Sequence, residues 1–197
     1  MRTFGALALC VCVAVPLIAG GRPEHRPGVR DQSDREVDPL GPGPDVRVFV
    51  FVRRDCPVAN RYAPELERLR QQFNAVGLPP VVFFLVYVDP ADTASLVEAH
   101  RREYHMTLPW LLDPSHELAR RAGATITPEA AVFGPWTDGR RARLYVGRID
   151  DRFLDVGRTR PAATRHDLAD ALDAAVAGRQ PAPAGGPAVG CFIEDAR

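Results

Sequence analysis

Two side chains in this 197-residue sequence carry chemistry that the remainder does not offer, the thiols of Cys56 and Cys191. Cys56 ends the run Arg53-Arg54-Asp55-Cys56 and is followed by Pro57. Proline is favoured at the first helical position, where its missing N–H would be unpaired anyway. Cys56 is therefore predicted to be the N-cap of a helix, where free backbone N–H groups and the helix dipole favour a thiolate. Arg53 and Arg54 push in the same direction and Asp55 against it. A thiolate is the form that attacks disulfides and peroxides. The alternative is a plain core residue, since cysteine is among the most buried types; the corner between an apolar strand and a helix favours chemistry.

Four cysteines are present in all, but Cys10 and Cys12 lie in an N-terminal apolar run, Phe4 to Ala19, that follows Arg2 and ends in small residues at Ala19, Gly20 and Gly21. This pattern reads as a cleaved export signal, residues 1–21. The run is shorter than the ~20 residues that span a bilayer, so no stable membrane insertion is expected once the signal is gone. Cys56 and Cys191 would then be the thiols of an exported, periplasmic or otherwise extracytoplasmic chain, a setting that invites a disulfide. Spacing does not decide whether they pair with each other.

Metal chemistry has weaker support. His100, His105, His116 and His166 are scattered, with no i, i+4 ligand pair. A soft Cu(I) set of Cys56, Cys191 and one histidine is the copper-handling alternative. No resident metal or cofactor is expected. Net charge is zero, with 25 basic and 25 acidic residues, which argues against nucleic-acid binding and against a polybasic membrane surface. The dense cluster Arg148, Asp150, Asp151 and Arg152 reads as a structural turn, because surface charge pairs contribute little on their own.

The elements that must position Cys56 are readable around it. Val46 to Val52 and Val81 to Val88 are short runs, apolar on both faces, as suits central strands covered on both sides. Between them Tyr62, Leu66, Leu69 and Phe73 recur at helical spacing from Asn60 to Phe73. Strand, helix, strand in this order is a parallel βαβ unit. Asp92 to Tyr104 reads as a second helix with Leu96, Val97 and His100 on one side. Pro109 to Leu112 is a short apolar piece, and Ser115 is the expected N-cap of a helix from Glu117 to Ala122 that closes at Gly123. Ala130 to Phe133 and Leu144 to Ile149 flank Asp138-Gly139, an antiparallel hairpin signal. Arg165 to Ala177 reads as a last helix, ending at Gly178.

Residues 22–45 are rich in Pro, Gly, Arg and Asp and are expected to form a flexible linker. Residues 46–178 are the domain. Residues 179–197 form a Pro/Gly tail with an apolar end at Val189, Cys191, Phe192 and Ile193, expected to fold back to escape water.

The segment Phe51 to Ala59, FVRRDCPVA, resembles the active-site segment of thioredoxins, with Cys56 at the nucleophilic position. Pro64 falls where that family kinks its active-site helix, and Thr127-Pro128 before a strand is similar to its cis-proline. As a whole, DCPVANRYAPEL looks most like exported redoxins of the alkyl hydroperoxide reductase and thiol-specific antioxidant grouping. The resemblance covers Val46 to Gly178. It implies an α/β, thioredoxin-like fold: a central mixed sheet, βαβ then ββα, with helices on both faces. It also implies thiol redox chemistry at Cys56 towards protein thiols and disulfides or a peroxide, and a partner surface drawn from Arg53, Arg54, Asp55, Pro57, Thr127 and Pro128. Two departures stand out. Ala59 replaces the second cysteine of a C-x-x-C pair, and Phe49 and Arg53 occupy the proline and threonine positions of the peroxiredoxin pattern. Cys191 would supply the missing resolving thiol, as in two-cysteine redoxins, or pair with nothing or with another chain. A non-catalytic binding module on the same fold is the competing reading.

Overall fold

The computed structural model describes residues 28–74 and 79–194. The expected signal, residues 1–21, with Cys10 and Cys12, lies outside the described residues.

Strand β1 (Val46–Val52) pairs in parallel with β2 (Val81–Tyr87), which pairs in parallel with β3 (Trp110–Leu112). On its other side β1 meets β5 (Glu129–Thr137) antiparallel, and β5 meets β6 (Arg140–Gly147) antiparallel. The sheet order is β3-β2-β1-β5-β6, the mixed sheet the sequence implies. Side chains alternate across a strand, and β1 shows the result. Val46, Val48, Val50 and Val52 join one buried cluster, while Phe49 and Phe51 join another. Tyr62, Leu66, Leu69, Val97, Leu168 and Leu172 cover the first face. Leu118, Ala119 and Ala122 cover the second, together with Val29 and Leu40. Each fully buried leucine in these layers stabilises the fold by about 1.5–3 kcal/mol.

Helix α1 (Pro57–Arg61) stops at Tyr62 and α2 (Ala63–Asn74) begins directly after it. Proline has no N–H to give to the carbonyl four residues back, so Pro64 leaves the Asn60 carbonyl without its helical partner and one expected helix becomes two. Helix α3 (Ala94–Glu103) begins where the Thr93 hydroxyl accepts from Leu96 N at 3.4 Å. Helix α4 (Glu117–Ala122) ends at Gly123 in the left-handed region (φ 72°), as expected. Its start differs from the expectation at Ser115. His116 is the capping residue, and the Asp113 carboxylate takes the capping role, accepting from Ala119 N at 2.9 Å. The hairpin turn between β5 and β6 has Asp138 and Gly139 at positive φ (51° and 78°), the backbone that a two-residue turn between right-twisted strands requires. Helix α5 (Asp167–Val176) closes the chain's main domain.

The arm differs from the flexible linker expected. From residue 28 onward it is docked: Arg30 and Leu112 exchange backbone hydrogen bonds of 2.9 Å, and Val29 and Leu40 are buried. Its anchors are largely polar, which composition does not reveal. The buried Arg141 guanidinium on β6 donates to Gly41 O at 2.9 Å and to Asp45 Oδ1 at 2.9 Å, and Arg47 holds the other Asp45 oxygen at 2.7 Å. Four short strands have no counterpart in the sequence reading. The pair β7 (Phe153–Asp155) and β8 (Arg158–Thr159) forms a small hairpin, and β4 (Ile126–Thr127) pairs antiparallel with β9 (Cys191–Phe192) in the tail.

Candidate functional site

Parallel pairing of β1 and β2 brings their C-terminal ends side by side, so the loops after them share one rim. Cys56 stands there as the N-cap of α1, in extended conformation (φ −85°, ψ 108°). Its position is the one expected, but its surroundings are not. The residue is fully buried, at 0 % exposure, and its sulfur caps no helical amide. The thiol donates instead to the Thr127 carbonyl at 3.1 Å. Thr127 precedes Pro128 across a cis peptide bond, as the resemblance implied.

The tail brings Cys191 to the same point. In the β4–β9 ladder Cys191 is the partner of Thr127 and Phe192 that of Ile126. The Thr127 hydroxyl donates to Cys191 O at 3.3 Å, and Ile193 N donates to Thr125 O at 2.9 Å. Both thiols are free, and they stand close enough for the Cys56 side chain to act on the ionisation of Cys191. Burial pushes the Cys191 thiol up to about 11, and the contact with Cys56 and its charge push the same way. At neutral pH Cys191 is therefore protonated. Gly190 makes the approach possible, since a Cβ there would lie 1.9 Å from Thr127 O.

The two arginines point elsewhere than expected. Arg53 pairs with Asp55 at 3.1 Å and reaches Asp89 at 3.7 Å. Arg54 pairs with Asp92, whose second carboxylate oxygen is buried without a hydrogen-bond partner. Burial pushes the Asp92 carboxyl above its ordinary range, with Arg54 acting against that. Their positive charge is thus engaged by carboxylates of the loops after β1 and β2. The rim still holds a cleft of about 120 Å³ lined by Arg53, Val88, Asp89, His116, Ile193 and Glu194.

Beneath the Arg53–Cys56 turn runs a polar chain that sequence reasoning did not assign to the site. Asn60 Nδ2 donates to Arg54 O at 3.0 Å, which leaves Asn60 Oδ1 to accept from His100 Nε2 at 2.9 Å. His100 Nδ1 then accepts from the Tyr87 hydroxyl at 3.0 Å. Every donor faces an acceptor only when His100 is neutral with its proton on Nε2, and burial holds its pKa below the ordinary value. The readable signal was a histidine on the apolar side of α3 with Leu96 and Val97. The 148–152 cluster has the structural role expected of it, but Asp150 and Asp151 are buried rather than surface charges. Tyr62 donates to Asp150 at 2.5 Å, and Asp151 accepts from Thr164 N at 2.7 Å and Arg165 N at 3.0 Å. Among the described residues no three metal-ligating side chains of His, Cys, Asp or Glu stand together, so the Cys56–Cys191–histidine copper set finds no third ligand there.

A family profile, the AhpC/TSA family, matches residues 35–145. The chain belongs to the AhpC/TSA family. It is a thioredoxin-like redoxin. A search of curated proteins finds no match. Among solved structures, a conserved protein of Geobacillus kaustophilus is similar at 21 % identity with a TM-score of 0.61, over 84 % of this chain and 86 % of that one. A hypothetical protein of Sinorhizobium meliloti follows at 23 % identity and TM-score 0.57, over 76 % and 79 %. A secreted Mycobacterium tuberculosis disulfide oxidoreductase lies further off, at 18 % identity and TM-score 0.47, over 76 % and 93 %. These likenesses describe the fold of this AhpC/TSA member; its reaction rests on the site.

Proposed function

We propose that the protein is an exported thiol–disulfide oxidoreductase in which Cys56 is the nucleophile and Cys191 the resolving thiol. The observation that carries this reading is the meeting of the two thiols at Thr127: the Cys56 sulfur bonds its carbonyl, and Cys191 is its ladder partner. Ala59, buried in α1, offers no second thiol in the local segment, and the tail strand brings one from elsewhere.

The reaction balances as a two-electron exchange. The Cys56 thiolate attacks one sulfur of a partner's disulfide, forms a mixed disulfide and releases the partner's other sulfur as a thiolate. Cys191, after giving up its proton, attacks the Cys56 sulfur; the Cys56–Cys191 disulfide forms and the second partner thiolate leaves. The partner disulfide is reduced to a dithiol and the protein dithiol is oxidised. Run backwards, the same steps oxidise a partner dithiol. A raised Cys191 pKa suits the resolving role, since that thiol stays protonated while Cys56 reacts first.

A protein disulfide is favoured over a peroxide by the surroundings of Phe49. It sits at the peroxiredoxin proline position and is fully buried between the rings of Phe84 and Phe133, 5.6 and 5.8 Å away. It therefore shapes core rather than a peroxide pocket. Arg53 and Arg54, with Asp55, Pro57 and Pro128, remain the proposed rim against which the partner rests.

The test is oxidation of the full chain with a small disulfide, followed by mass analysis of non-reduced digests and an insulin-reduction assay driven by a dithiol reductant. A Cys56–Cys191 cross-linked peptide is expected, with activity lost in Cys56→Ser and a trapped mixed disulfide in Cys191→Ser. No cross-link together with full activity in Cys56→Ser would overturn the assignment. A cross-link without any turnover would favour the binding module.

A further inference from the structure

The nucleophile proposed above is sealed, and the chain's own tail does part of the sealing. Cys56 has no exposed surface, its sulfur is engaged by Thr127 O, and Cys191 lies against it. A disulfide held in a folded partner needs a line of approach to that sulfur, and the described arrangement leaves none. The backbone edge at Thr125 and Thr127, meanwhile, is taken by the tail, since Ile193 N donates to Thr125 O and Cys191 is the ladder partner of Thr127. An extended segment added to this edge from outside would need the same groups, because strand addition works through main-chain hydrogen bonds.

The tail is weakly built compared with what surrounds it. The strand β9 is two residues long, and a strand so short has little stability of its own. Among the described residues past Gly190 its one buried anchor is Ile193, in the cluster with Phe49 and Phe51, whereas Phe192 is exposed. Upstream, Gly185 N is fixed to Asp167 Oδ1 at 2.7 Å on α5. Beyond it Ala188 is buried and Val189 packs on the first cluster, so the stretch free to swing without disturbing the five-stranded sheet begins at Gly190. Segments with few apolar contacts are the ones that open locally.

We infer that residues 190–193 are a displaceable internal strand, a gate over Cys56, and that they occupy the edge on which a cysteine-bearing extended segment of a partner protein docks. The gate rests on the redox reading for its purpose, but its geometry stands apart from it. When the tail is seated, Cys56 and Cys191 are in reach of each other and closed to partners. When a partner strand takes the Ile126–Thr127 edge, Cys191 withdraws and the partner's sulfur takes its place beside Cys56.

The experiment removes the disulfide from consideration by working in the full chain with Cys191→Ser. Two independent substitutions unseat the tail: Gly190→Val, whose added carbon would fall 1.9 Å from Thr127 O, and Ile193→Asp, which places a charge in the buried anchor position. Alkylation of Cys56 by a bulky maleimide is followed by peptide mass, with hydrogen exchange at Ile193 and across β1 as controls of the tail and the fold. Cys56 alkylation is expected to rise about tenfold or more in either variant, because reaction through an opened state scales with its population. Ile193 should lose protection and β1 should keep it. A synthetic peptide of residues 187–194, with serine at the cysteine position, should bind the Gly190→Val protein in trans and slow alkylation again. An unchanged alkylation rate with the tail shown to be released would refute the gate, and absence of peptide binding would refute the shared edge. Because no Cys56–Cys191 disulfide can form here, either failure leaves the oxidation test of the redox reading untouched.

Discussion

Removing the Asn60 side chain tests whether the buried polar chain holds the Cys56 turn. In Asn60→Ala, His100 Nε2 loses its 2.9 Å acceptor and Arg54 O its 3.0 Å donor. His100 is 5 % exposed, so water reaches its orphaned N–H poorly and the cost there is about 1–3 kcal/mol. The Arg54 carbonyl is nearer solvent, and losing an ordinary hydrogen bond there costs about 1 kcal/mol. Alanine's better helix propensity returns about half a kcal/mol. The net expectation is a loss of about 1.5–3.5 kcal/mol, read in urea unfolding as a midpoint shift of about 1 M at the slopes usual for small proteins. Tyr87→Phe removes the hydroxyl at the far end of the chain, and the double variant should show a coupling of about 0.5 kcal/mol or more, as residues in one network do. Hydrogen exchange at the Cys56 amide, which donates to Arg53 O at 3.2 Å, should quicken in Asn60→Ala. A loss under about 0.5 kcal/mol with no coupling would refute the idea that this chain fixes the turn.

Two further outcomes follow from the same geometry. The Cys191 thiolate, followed by ultraviolet absorbance, should titrate near 11 rather than the ordinary 9.0; in Cys56→Ser it should fall, yet stay above 9.0 because burial is the leading cause. Since the folded chain holds this proton more tightly, the associated stabilisation is present below about 9 and lost as pH rises through about 11, and a flat stability profile across that window would contradict the assignment. Tyr62→Phe deletes the 2.5 Å bond to Asp150 and should cost about 1.5–3 kcal/mol, the range for bonds to charged groups. Asp150→Asn keeps an acceptor and should cost less in thermal melts, and the reverse order would show that the 148–152 run is held by something else.

The sheet was legible because its signals are local. The all-apolar runs of β1 and β2, the Asp138-Gly139 turn and Gly123 each act over a few residues, and their spacing fixes strand, turn and helix end without reference to distant chain. The helix start at His116 was less so, because the Asp113 carboxylate, two positions before the expected cap, took the amide of Ala119. The docking of residues 28–45 was not legible at all. It depends on Arg141, a long side chain on a strand far along the sequence, whose burial no composition of the arm could foretell.

Cys56 shows the division most clearly. Residue type, Pro57 and the preceding apolar run place a thiol at the corner between a strand and a helix, and that much the sequence determines by itself. That the thiol is sealed, that it bonds Thr127 rather than helix amides, and that Cys191 stands beside it are decisions of the tertiary structure. The physical reason is that a two-residue strand such as β9 has no periodicity to read; it exists because Gly190 admits the Thr127 carbonyl and because Ile193 finds a buried place on the second face of the sheet. Long-range pairing of this kind is set by what the rest of the chain leaves uncovered, and only the folded molecule shows that.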